Sequence, residues 1–131
     1  MDTGLTAGME IKALDAPLGA EVTGLDIASP MDSETVQQLK EAWRQYHVLL
    51  IRNQSLDDSR LIEFSKFFGE LDPPGPNPYG LTFLPDHPEL NVISNVVEDG
   101  KPIGNLGDGE AVWHADMTYI DTPPVAAVLY A

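Results

Sequence analysis

The stretch "GEAVWHADMTYIDTPP", Gly109 to Pro124, holds an imidazole and a carboxylate two residues apart, at His114 and Asp116. In an extended segment, residues i and i+2 project to the same face. His114 and Asp116 then aim one nitrogen and one oxygen donor at a common point, while the small Ala115 points away. With a second histidine from elsewhere, such a pair completes the 2-His-1-carboxylate facial triad of non-haem iron, which leaves three coordination positions open. His-x-Asp alone occurs by chance in many chains, most often as a structural hydrogen bond, so the reading depends on its surroundings. The chain has no cysteine, which excludes disulfides, thiolate nucleophiles and cysteine-ligated metals. A metal would be held through nitrogen and oxygen alone.

The elements that must position this pair are readable from pattern. In "EIKALDAPLGAEVTGLDIASP", Ile11, Leu14, Leu18, Val22, Leu25 and Ile27 lie between glycines and prolines, as in short strands joined by a turn. "SETVQQLKEAWRQY" reads as a helix capped by Ser33, with Glu34 in its first turn and Gln37 near the capping-box position. Val36, Leu39, Trp43 and Tyr46 fall on one face. Val48 to Ile51 read as a strand covered on both faces. "SLDDSRLIEFSKFFGEL" is a second helix, capped by Ser55 or Asp57, striped by Leu61, Phe64, Phe67 and Phe68, and stopped by Gly69.

Four prolines in "DPPGPNPYG" force a loop. Leu90 to Val97 is expected to be a strand, and "EDGK" a tight turn with positive φ. "GNLGDGE" reads as a glycine-rich loop without the spacing of a phosphate cradle. "PPVAAVLYA" reads as a final strand. Because no turn or cap follows Ala131, the domain is expected to continue past it.

The 131 residues suffice for a single core, and all of residues 1–131 are expected to form the N-terminal portion of one domain. The formal net charge of −14, from 7 basic and 21 acidic residues, argues against nucleic-acid and anionic-membrane partners. No apolar run approaches the roughly 20 residues of a membrane span. The N-terminus lacks the pattern of a signal peptide, so a cytoplasmic location is expected.

"WHADMTYIDTPPVAAVLYA" resembles the iron-binding segment of the taurine and 2,4-dichlorophenoxyacetate dioxygenase family, which is Fe(II)- and 2-oxoglutarate-dependent. "PLGAEVTGLDI", "YHVLLIRNQSL", "FSKFFGEL" and "VISNVVEDGKPIGNLGDG" resemble the same family in the same order, so the likeness runs from about Pro17 onward. The resemblance implies an α+β fold, the N-terminal part of a double-stranded β-helix or jelly roll, with helices packed on one side. It implies oxidative decarboxylation of 2-oxoglutarate to succinate and CO2, coupled to hydroxylation of a small organic substrate by dioxygen. His114 and Asp116 would be two iron ligands. The second iron-binding histidine and the arginine that holds 2-oxoglutarate are expected beyond Ala131, and His47 and His87 are better read as structural or surface residues.

Asn95 and Glu110 are the candidate substrate-binding residues, and Lys101 lies near the same pocket. Trp113 is expected in the core. Taurine-type members contact the sulfonate through a His and a Tyr in the loop after the second helix. Here that loop has no His and Tyr79 is out of register, which argues against taurine as substrate. The 131 residues alone are expected to be inactive, and a homo-oligomer is compatible with the reading. The contrasting expectation is a catalytically incompetent remnant acting as an interaction module, because an incomplete jelly roll leaves strand edges open to partners. A non-redox, cupin-like jelly roll fits the fold but not "WHAD" followed by "TPP".

Overall fold

The computed structural model describes residues 8–72, 83–106 and 112–131. The chain divides into two compact units, residues 1–60 and residues 61–131.

The first unit is built on a three-stranded sheet, order β1-β2-β3, from β1 (Glu10–Ala13), β2 (Ala20–Thr23) and β3 (Leu49–Ile51). β1 and β2 pair antiparallel, Glu10 opposite Thr23 and Ala13 opposite Ala20. Their connection closes through the Leu14 N–H to the Gly19 carbonyl, 3.0 Å. Gly19 has φ +103, and a Cβ there would stand 2.9 Å from Leu14 Cδ1. β2 and β3 pair parallel, Ala20 opposite Leu49 and Val22 opposite Ile51. Parallel neighbours need a crossover, and α1 (Ser33–Tyr46) supplies it and packs against β3.

Period-2 alternation places Ala20 and Val22 in the core, with Leu25, Ile27 and, from α1, Leu39 and Ala42. Glu21, between the two buried residues of β2, meets Arg52 at 3.1 Å on the outer side. The exit of β2 is held by side chains that imitate a strand partner. Gln54 accepts from the Ile27 N–H at 2.7 Å and donates to the Leu25 carbonyl at 2.9 Å. Arg60 donates to the carbonyls of Ile27 and Ser29.

The cap of α1 is Asp32, not Ser33. Asp32 has extended backbone, and its carboxylate accepts the Thr35 N–H at 2.7 Å. Both residue types cap well; the chain bends one residue earlier, so Ser33 is already helical. This puts Thr35, Leu39 and Ala42 at the centre of the buried face, with Val36, Trp43 and Tyr46 half-buried on its flanks. His47 ends the helix in the left-handed region at φ 68, its N–H bonded to the Trp43 carbonyl at 2.7 Å. The strand after it starts at Leu49, and its three residues are half-buried rather than covered on both faces; Val48 is exposed.

α2 (Asp58–Lys66) is capped by Asp57, which accepts the Arg60 N–H at 2.7 Å. In the second unit, Phe64 is buried and meets Phe67 and Phe68 edge-on at ring centroids 6.4 and 5.5 Å apart. Ile62, absent from the expected stripe, is buried as well. The helix tightens into i→i+3 turns through Phe67, Phe68 and Gly69.

The expected Leu90–Val97 strand is two short pieces, β4 (Ile93–Ser94) and β5 (Val97–Glu98). They are followed by β6 (Lys101–Pro102) and β7 (Asn105–Leu106). β5 and β6 form a hairpin with Glu98 opposite Lys101. Its turn residues, Asp99 at φ 50 and Gly100 at φ 74, are both left-handed, as a two-residue primed turn requires. Asn105 and Leu106, read from sequence as part of a glycine-rich loop, pair parallel with β4 instead. Gly104 permits this: a Cβ there would lie 2.8 Å from Ser94 N and 3.0 Å from the Val92 carbonyl oxygen.

Residues 123–131 pair with no strand among the described residues, so the final strand is not formed. A strand needs a hydrogen-bonding neighbour, and apolar pattern alone does not supply one. The described residues hold two helices and three small sheets, an α+β arrangement; closure into a jelly roll does not occur among them.

Candidate metal centre

His114 and Asp116 are brought together as their spacing anticipates. His114 Nε2 lies 2.8 Å from Asp116 Oδ1. The other ring nitrogen, Nδ1, lies 2.7 Å from the Val112 carbonyl oxygen. Both nitrogens therefore face oxygen acceptors. A neutral imidazole carries one N–H, so one of these contacts would set a lone pair against an oxygen. The arrangement calls for a cation at Nε2: a proton, making imidazolium, or a metal ion. The bond to the Val112 carbonyl, then the partnership with Asp116, hold the His114 pKa above its ordinary value.

The donor set suits a divalent metal. Bonding Nδ1–H to a backbone carbonyl leaves Nε2 as the liganding nitrogen, the usual way a second contact orients a ligating histidine. Nε2 and the Asp116 carboxylate, 2.8 Å apart at Oδ1, are the two groups that would hold a divalent metal. The two side chains are 65% and 62% exposed, so packing does not enclose the pair.

The backbone changes direction at this point. Residues 116–119 form a turn, with the Ile120 N–H 3.3 Å from the Met117 carbonyl. Met117 has φ 51, in the left-handed region. For a side chain of this kind that costs on the order of 1 kcal/mol. Met117 is half-buried, whereas the other residues from Val112 to Ile120 are exposed. Sequence reasoning did not single it out, because methionine carries no turn signal.

Trp113 is fully exposed, contrary to its expected place in the core. The described residues supply nothing to pack on it. His87 lies in a turn, its N–H bonded to the Leu84 carbonyl at 3.0 Å. No group of three or more His, Asp or Glu residues converges as a metal site among the described residues. Asn95 is exposed between β4 and β5, and Lys101 is exposed in β6. Glu110 and Tyr79 lie outside the described residues. No helix among the described residues is long and apolar enough to cross a membrane.

Short mixed sheets, two helices and a converging imidazole–carboxylate pair do not by themselves name a class of protein; sequence comparison does. The pattern of the taurine catabolism dioxygenase TauD, TfdA family matches residues 10–131. The chain belongs to that family. Pentalenolactone F synthase of Streptomyces arenae is 34% identical over 108 residues, 79% of this chain and 34% of that protein. The (S)-phenoxypropionate/alpha-ketoglutarate-dioxygenase of Sphingobium herbicidovorans is 30% identical over 135 residues, 97% of this chain and 42% of that protein. The solved structure of a taurine dioxygenase from Burkholderia xenovorans superposes with a TM-score of 0.55 at 32% identity, covering 69% of this chain and 31% of that one. The chain thus spans between about a third and two fifths of the length of these curated relatives. Fe(II) and 2-oxoglutarate, the cofactor and co-substrate expected from the resemblance, are those of this family.

Proposed function

We propose that His114 and Asp116 are two Fe(II) ligands of a 2-oxoglutarate-dependent dioxygenase that hydroxylates a small organic substrate with release of succinate and CO2. The observation that carries this reading is the 2.8 Å convergence of Nε2 and Oδ1, with Nδ1 committed to the Val112 carbonyl. Bound Fe(II) would supply the redox chemistry with dioxygen that protein side chains lack. The chain's own part is to present the donors. Val112 fixes the ring and its tautomer, and Asp116 contributes the negative charge that favours a divalent cation at Nε2. Asn95 and Glu110 are proposed to contact the substrate. The second histidine and the 2-oxoglutarate-binding arginine are proposed to belong to the part of the relatives' length that this chain does not span. Both units are proposed to belong to one jelly-roll domain, since the family match runs through residues 10–131 without a break.

With two protein donors, the 131-residue chain should bind metal weakly and turn over no substrate. The full product of the gene should convert 2-oxoglutarate to succinate, and His114→Ala should abolish both Mn(II) binding and succinate formation. A His114→Ala protein that binds Mn(II) and forms succinate at the parent rate would overturn the assignment. A second reading, an interaction module without catalysis, draws on the exposed Val112, Trp113, Tyr119, Val125 and Leu129. It predicts no succinate from the full gene product under any substrate tried.

A further inference from the structure

We infer that Met117 is a positioning residue for the metal site: its left-handed backbone sets the Asp116 carboxylate against His114. The inference rests on the reading of His114 and Asp116 as ligands and goes beyond it. Three observations carry it. Met117 has φ 51, a conformation that side chains other than Gly, Asn and Asp rarely adopt, and it directly follows Asp116. The bend closes a turn over residues 116–119, with the Ile120 N–H on the Met117 carbonyl. His114 and Asp116 are both largely exposed, so surrounding side chains do not fix where they point.

The physical consequence is direct. Where packing does not hold two donors, the backbone between and beside them must. Two exposed side chains would otherwise sample several staggered rotamers each, and a metal that needs both at one spacing binds in proportion to the share of time they offer it. At Met117 the backbone enters the left-handed region. On an extended path through Met117, Thr118 would share the face of Asp116 and crowd the donors. The left-handed residue rules out that path one position after the carboxylate.

The test separates backbone conformation from side-chain identity. Asn tolerates the left-handed region, whereas a β-branched residue is a strong outlier there. Mn(II) affinity and the visible spectrum of bound Co(II) would be measured on the full gene product and on its Met117→Asn, Met117→Val and His114→Ala variants. Thermal melting would confirm that each is folded. The expectation is a loss of at least tenfold in Mn(II) affinity with a changed Co(II) spectrum for Met117→Val. Met117→Asn should stay within about threefold of the parent and keep its spectrum. Parent-like affinity in Met117→Val would overturn the inference. So would equal losses in both variants, which would trace the effect to the methionine side chain. If Met117→Val does not fold, Met117→Asn decides alone: an affinity loss of tenfold overturns the inference, and retention supports it. Failure of the ligand reading has a different signature, a His114→Ala protein that binds Mn(II) as the parent does.

Discussion

At the scale of the residue, most of what the structure adds is the placement of a few polar groups. Asp32 caps α1, and Asp26 accepts from the Ala28 N–H and the Ser29 hydroxyl. Hydrogen bonds from Thr35 to Asp32, and from Ser29 and Ala28 to Asp26, hold both carboxyls below their usual range. The sign follows from linkage. A carboxyl whose folded pKa is depressed contributes stability above its unfolded pKa, and that contribution is lost as pH falls through the folded value. Asp32→Ala should therefore lower the melting temperature at neutral pH, and the gap from the parent should shrink below about pH 4, where unfolded carboxylates take up protons. Calorimetric melts from pH 7 to pH 3 would check this; a gap that stays constant across that range would mean that packing, not the charge-assisted cap, sets the effect.

At the scale of the element, the second unit depends on backbone proximity more than on side-chain burial. The β4–β7 pairing exists because Gly104 has no Cβ to strike Ser94 and Val92. Gly104→Ala should destabilise the protein by about 1–3 kcal/mol through forced backbone displacement. Gly100→Ala meets no atom within 4 Å, but its φ of 74 makes it costly by about 1 kcal/mol. Urea titrations of the two variants should rank Gly104→Ala as the more damaging. The reverse order would place the strain of the turn above the close approach of the strands.

At the scale of the whole molecule, residues 112–131 form no strand pairing among the described residues, and several of their large apolar side chains are exposed. Large apolar side chains left in water favour association where they come together on the surface. The isolated 131-residue chain should self-associate as its concentration rises. Val125→Lys combined with Leu129→Lys should reduce that association in sedimentation velocity, because both side chains are among its most exposed apolar groups. A monodisperse parent that melts cooperatively would show that these residues do not drive assembly. The net charge of −14 opposes association at low ionic strength, so added salt should favour it.

The sequence determined the local features whose causes are local. Hydrophobic period and capping residues located α1 and α2 within a residue or two, and Asp99-Gly100 specified its turn because few other pairs accept two positive φ angles. The i, i+2 spacing of His114 and Asp116 foretold that their side chains would meet. Tertiary structure decided what depends on a partner distant in sequence. It has Asp32 rather than Ser33 as the cap, with extended backbone at Asp32 and its carboxylate on the Thr35 N–H. It broke the expected Leu90–Val97 strand in two and recruited Asn105 and Leu106 as the partner of β4, a choice that rests on Gly104. It left Trp113 exposed and Pro123–Ala131 without a strand neighbour among the described residues, because apolar pattern says that a segment can be buried and only a facing surface says that it is.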